Sequence, residues 1–255
     1  GFPEPAKTCE DIAARVAGLF ESDPQLAWVN LQEVTERPPH GAPIIERLGQ
    51  YGLKYIAISE PTDTVPDTTE PLRMVTITRH EPLTVSKIEY GEHFTDGKGY
   101  EHWGRLLEVT VPIGANDTVT TANAHALYMR PATMRARRHR WHALREVLGE
   151  PERMQRHVLN GDLNTPKFGL ELQRTCAALG RRAITGGLRD TTWKWCQSRW
   201  IRLNLDHMLL TKDLEPLRVP QGHTLHHHRQ LSDHTALRGS FRPLHPAVNA
   251  LMLRR

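Results

Sequence analysis

An apolar run ending in Val158-Leu159-Asn160-Gly161 delivers Asp162 and Asn164, an aspartate and an asparagine two residues apart. On an extended chain they share a side, with Leu163 turned into the core. A carboxylate there takes a proton or holds a cation, and the amide beside it orients an anionic substrate. Alone, Gly-Asp-x-Asn also fits an Asx-turn at a strand end. Three further stretches accompany it: Gln32-Glu33, Leu205-Asp206-His207 and Ser232-Asp233-His234. Glu33 follows the short buried strand Leu26–Leu31, where a carboxylate is costly unless it is paired or binds metal. His125, in Asn123-Ala124-His125-Ala126, sits at a predicted strand end. A lone histidine is more often structural than catalytic.

In this order and rough spacing, the motifs resemble the endonuclease/exonuclease/phosphatase superfamily, the deoxyribonuclease I-like fold, from about Glu10 to Phe241. The resemblance implies that Glu33 binds a divalent ion, magnesium or else manganese, with waters completing the shell and Asp233 as a second contact. It implies that Asp162 orients or deprotonates the attacking water and that Asn164 hydrogen-bonds the phosphate. His125 matches a position where histidine contacts the phosphate or protonates the leaving oxygen. Asp206 is expected to pair with His234, fixing its tautomer and favouring its charge, so that His234 donates to a phosphoryl oxygen. The implied reaction is magnesium-dependent hydrolysis of a phosphoric ester by in-line attack of an activated water. One departure stands out. Family members open with a strand whose terminal asparagine joins the glutamate at the metal, whereas Gly1-Phe2-Pro3-Glu4-Pro5 leads straight into a helix. The expectation is a fragment, or a fold that dispenses with that strand, with an open slot beside Leu26–Leu31.

The elements needed to position these groups follow from periodicity. Thr8 with Asp11 reads as a capping box before apolar Ile12, Val16, Leu19 and Phe20, and Asp23-Pro24 ends that helix. Further helices fit Pro43–Gln50, Thr133–Leu148 and Phe168–Leu179; strands fit 54–59, 72–78, 83–90, 105–111, 118–126, 156–161, 201–211 and 235–241. Tyr90–Gly104 reads as a Gly-rich turn. Glu60–Pro71, rich in Pro, Thr, Asp and Glu, reads as an inserted loop in preference to a substrate-facing flap. The expected fold is α/β (α+β), a four-layer sandwich of two mixed β-sheets flanked by helices, lacking the first family strand. It fills 1–242 as one domain, and 243–255 is a tail.

Composition bounds the partners. Hydrophobic content of 38% and charged content of 24% are those of a globular chain. The net charge of +4 and the basic face Arg135, Arg137, Arg138, Arg140 and Arg145 point first to a nucleic-acid phosphodiester. The alternatives are a lipid-borne or small phosphoester, as in sphingomyelinase-like and inositol-phosphatase-like relatives, and a non-catalytic scaffold. Trp193, Trp195 and Trp200, among Lys194, Arg199 and Arg202, read as core and rim packing before base stacking or the lining of a lipid headgroup cleft. His223, His226, His227 and His228 read as a loop at the site mouth before a zinc site. Cys9, Cys176 and Cys196 are scattered and read as reduced thiols. With neither a signal peptide nor a membrane-length apolar run, the expected setting is cytoplasmic and the expected state a monomer.

Overall fold

The structure is a computed structural model that describes residues 5–35, 44–64, 71–96, 99–127, 134–166, 168–184, 193–194, 202–203, 205–223 and 236–244. Helix α1 (Pro5–Ser22) leads into β1 (Trp28–Thr35), α2 (Ile44–Gln50), β2 (Tyr55–Ile58), β3 (Asp63–Thr64) and β4 (Leu72–Thr78). Strands β5 (Thr84–Glu89), β6 (Phe94–Thr95), β7 (Glu101–His102), β8 (Arg105–Pro112) and β9 (Thr118–Ala124) follow, then α3 (Met134–Leu148), β10 (His157–Asp162) and α4 (Leu170–Leu179). The chain closes with β11 (Arg182–Ile184), β12 (Trp193–Lys194), β13 (Arg202–Leu203), β14 (Asp206–Leu210), β15 (Leu214–His223) and β16 (Ala236–Pro243). No helix among the described residues is long and apolar enough to cross a membrane.

Two six-stranded sheets form the centre. The first runs β1-β4-β3-β7-β6, with β2 also on β4, and every described pair in it is antiparallel. The second runs β11-β14-β10-β9-β8-β5 and is mixed, because α3 carries the chain from β9 back to a parallel β10. Strand β4 has apolar side chains on both its faces, and both are covered. Val75 and Ile77 pack with Ala13, Val16 and Phe20 of α1 and Ile44 and Leu48 of α2, while Met74 meets Leu107, Val109 and Val111 of the second sheet. Beyond that sheet, Trp141, Leu144 and Leu148 of α3 and Leu172 of α4 cover Leu106, Ala122, Leu159 and Leu209. The layers are therefore helix, sheet, sheet, helix, as expected from the sequence.

Polar side chains join the sheets toward the site end. Thr76 Oγ1 donates to Asn30 Oδ1 at 2.8 Å, and the Nδ2 groups of Asn30 and Asn160 both donate to Thr121 Oγ1, at 3.1 and 2.8 Å. Such a satisfied network fixes how one sheet sits on the other, since a slip would strand each group without a partner. At the opposite end, Glu108 Oε1 accepts from Arg153 Nε at 2.7 Å and from His157 Nε2 at 3.0 Å. Arg181 donates to His157 Nδ1 at 2.9 Å, so His157 is neutral with its proton on Nε2. Burial lowers the pKa of His157 below its ordinary 6.5; for Glu108 burial acts upward, but His157 and Arg153 outweigh it and lower the carboxyl. Both shifts have the same consequence. At these two groups the unfolded chain binds protons that the native state refuses, so the stability they contribute falls as pH drops below about 6.5, and further below 4.5. On going from pH 7.5 to 5.5, the urea midpoint of the unmodified chain should fall relative to that of His157→Gln, a difference that the raised pKa of His125, common to both proteins, leaves untouched. Parallel pH profiles for the two proteins would refute this account.

Several elements differ from the sequence expectation. Helix α1 starts at Pro5, so Thr8 lies inside it and not at its start; proline fits a first turn, where its missing N–H is not needed. The 90–104 segment is more than a turn. It carries β6 and β7, which extend the first sheet through the pair Phe94↔His102. Strands β11 and β15 were also not foreseen. Among the described residues, β1 pairs only with β4, so no described strand fills the position on its other side.

Candidate active site

The carboxyl ends of β1, β9 and β10 converge. Strand β1 is bulged: its register on β4 shifts between Leu31 and Val34, and Glu33 takes φ 52°. The bulge turns the Glu33 side chain outward, 55% exposed, with Oε1 3.6 Å from His125 Nε2. His125, one residue past β9, is mostly buried, and its Nδ1 donates to Asp63 Oδ2 at 3.0 Å. The other oxygen of Asp63 lies 2.5 Å from His102 Nδ1, so one carboxylate holds two imidazoles. Burial opposes charge on His125, but the carboxylates of Asp63, Glu33 and Asp162 outweigh it and raise its pKa to about 10. Burial likewise pushes Asp63 upward, while His125 and His102 prevail and hold it well below the ordinary carboxylate range. At neutral pH the pair is imidazolium and carboxylate.

Asp63 was not among the residues singled out by sequence, and the segment that carries it was read as an insertion. Instead β3 is built into the first sheet, pairing Asp63 with Leu72 on one side and with His102 on the other. The described part of that segment therefore faces the site.

Asp162 ends β10 and is 7% exposed. Its Oδ1 accepts the backbone N–H of Asn164 at 2.7 Å, an Asx-turn, and Asn164 takes φ 46°. Asn164 thus reaches the site by a turn and not by strand alternation. Its Nδ2 donates to Ala126 O at 2.7 Å and lies 3.4 Å from His125 Nε2. Leu163 is fully buried in the helix-side core, as expected. Asp206 opens β14 directly opposite Asp162. Asp233 and His234, the Asp206–His234 pairing, and the His226–His228 cluster lie outside the described residues, as do the side chains of His223 and of the tryptophan-rich segment.

Gly161 is required where it stands. It has φ 148°, and a Cβ there would lie 1.9 Å from Ala124 O and 2.1 Å from Gln32 Nε2. Gly161→Ala should cost about 3 kcal/mol or more of unfolding free energy, combining backbone strain with overpacking. An unchanged urea midpoint would contradict this.

The basic face expected on α3 is largely absent. Arg137 and Arg140 are 4% and 5% exposed, and Arg145 is paired to Glu171 at 2.9 Å. Arg137 donates to Leu127 O at 3.3 Å and Asn164 O at 3.0 Å; Arg140 donates to Glu92 O and His102 O. These guanidiniums brace the loops behind the site. Arg135 and Arg138 remain exposed.

Among the described residues no three His, Cys, Asp or Glu side chains form a ready-made cage for a metal. Magnesium needs less: it keeps several waters and accepts one or two carboxylates. Asp63 is committed to two histidines, whereas the half-exposed Glu33 is a carboxylate open to such an ion.

A model of the Endonuclease/Exonuclease/phosphatase family matches residues 18–234. Among curated proteins, none matches the chain. Among solved structures, it is similar to an endonuclease/exonuclease/phosphatase family protein from Leptotrichia buccalis C-1013-b (TM-score 0.67, 13% identity, 92% of this chain and 93% of that one). It is also similar to the human Nocturnin catalytic domain with bound sulfate anion (0.64, 16%, 91% and 87%) and to a Bacteroides thetaiotaomicron mannosyl-6-phosphatase (0.62, 10%, 90% and 90%). At these identities the likeness is one of fold.

Proposed function

We propose that this chain, which belongs to the endonuclease/exonuclease/phosphatase family, hydrolyses phosphoric esters by direct attack of a water activated at Asp162. The observation that carries this reading is the meeting of the Asp63–His125 ion pair with Glu33, Asp162 and Asn164 at one sheet end. Asp162 takes a proton from the water as its oxygen bonds to phosphorus and the bond to the leaving oxygen breaks. The His125 imidazolium points Nε2–H at the reacting group, where it stabilises charge or gives the leaving oxygen its proton. Asp63 holds that ring charged and in one orientation, and Asn164 orients the phosphoryl group. Asp206 stands opposite Asp162, and by sequence alone His234 would donate to a phosphoryl oxygen and Asp233 would be a second metal contact. Glu33 would hold magnesium, or manganese, and the bound ion would neutralise phosphoryl charge.

The net charge of +4 supports a nucleic-acid phosphodiester. That support is thinner than the sequence suggested, since Arg137 and Arg140 face inward. The deciding experiment is a panel of plasmid DNA, RNA, bis-p-nitrophenyl phosphate, sphingomyelin, inositol phosphates and mannose 6-phosphate, each with and without EDTA. Cleavage of at least one, abolished by EDTA and restored by magnesium, is expected; none cleaved by the chain with magnesium would favour a binding scaffold. On the cleaved substrate, Glu33→Gln should raise the half-saturating magnesium concentration roughly tenfold or more, with excess magnesium recovering part of the rate. Normal magnesium saturation in that variant would remove Glu33 as a ligand.

A further inference from the structure

The bulge that exposes Glu33 also sends its neighbour in the opposite direction. Gln32 crosses from the first sheet to the second. Its Oε1 accepts the backbone N–H of Asp162 at 2.8 Å, and its Nε2 donates to Ala124 O at 2.6 Å and to Asn123 Oδ1 at 3.0 Å. A backbone N–H only donates and a carbonyl only accepts, so these partners fix which end of the amide is which. Asn123 returns the link, donating through Nδ2 to Leu31 O at 2.9 Å and Val75 O at 3.2 Å. Gly161 leaves the room that the Gln32 amide occupies.

Two of the three Gln32 bonds end on, or one residue before, a group of the proposed site, and Gln32 itself adjoins another. Glu33 follows Gln32, His125 follows Ala124, and one bond is to Asp162 itself. We infer that Gln32 is a positioning residue whose single amide gauges the separation of Glu33, His125 and Asp162 across the two sheets. The chemistry explains the residue type. One acceptor and two donors are needed on one planar group; glutamate lacks the donors, asparagine is a methylene too short, and methionine has the length without the bonds. Displacement of reacting groups by about 1 Å is enough to cost about 100-fold in rate.

This inference rests on the phosphoester reading, and its test separates the two. Gln32→Met, with Gln32→Glu as a second variant should the first fold poorly, is measured on bis-p-nitrophenyl phosphate with magnesium. The expected result is a kcat about 100-fold lower with KM within about threefold. In an Asp162→Asn background the same change should cost less than about threefold, because the two residues act as a unit. Amide exchange at Asp162, followed by NMR without substrate, should accelerate at least about tenfold as its acceptor is lost. A kcat within threefold of the unmodified chain, or a loss that multiplies fully with Asp162→Asn, overturns the role of Gln32. If the unmodified chain cleaves nothing, the phosphoester reading fails by itself. The Asp162 amide then still decides, since unchanged exchange in Gln32→Met overturns the positioning role.

Discussion

Asp63→Asn lowers kcat by about 10²- to 10⁴-fold while leaving KM nearly unchanged. The substitution keeps size and planarity, so β3 retains its pairing with β4 and β7. It removes the charge that makes His125 an imidazolium. With the carboxylate gone, burial drives His125 toward its neutral form, and an amide no longer selects the tautomer with hydrogen on Nδ1. His102→Gln should cost much less, because the bond from His125 to Asp63 Oδ2 survives it. The loss from Asp63→Asn should also nearly vanish in a His125→Gln background, as expected when one residue acts only through the other. Equal losses in both backgrounds would mean that Asp63 works by some other route, and a loss below tenfold would mean that the ion pair is structural.

Why Asp63 escaped the sequence, while Glu33 and Asp162 did not, is a matter of range. Glu33 and Asp162 each close an apolar run, so the residues beside them announce a buried strand delivering a charge. Asp63 sits in a stretch of Pro, Thr, Asp and Glu that resembles solvent-exposed chain, and β3 is too short to show alternation. What makes it a site residue is a register with His102 and a contact with His125, 62 positions away, neither of which has a local signature. The arginines of α3 are a different case. Arg137 and Arg140 stand one helical turn before Trp141 and Leu144, on the same stripe, so the 3.6-residue period already carried the signal. Counting like charges obscured it, because an arginine stem can cross an apolar interface and leave its guanidinium on backbone carbonyls. The bulge at Gln32-Glu33 was legible only as a motif; that its two side chains part company requires the three-dimensional pairing of β1 with β4.

Asp162→Asn separates chemistry from architecture at the centre of the site. Asparagine retains an oxygen to accept the Asn164 N–H, and its backbone still donates to Gln32. The Asx-turn and the left-handed Asn164 should therefore persist. What goes is the negative charge and with it the base. The expected outcome is a kcat about 10³-fold lower, within the range for loss of a positioned proton acceptor. The urea midpoint should move little, because the lost attraction between Asp162 and the His125 imidazolium is offset by the lower cost of burying a neutral amide. The half-saturating magnesium concentration should move less than in Glu33→Gln. Turnover within tenfold of the unmodified chain would assign the water-activating role elsewhere. A collapse in the urea midpoint would instead make Asp162 a structural carboxylate, and the chemistry would then have to be carried by the Asp63–His125 pair with Glu33.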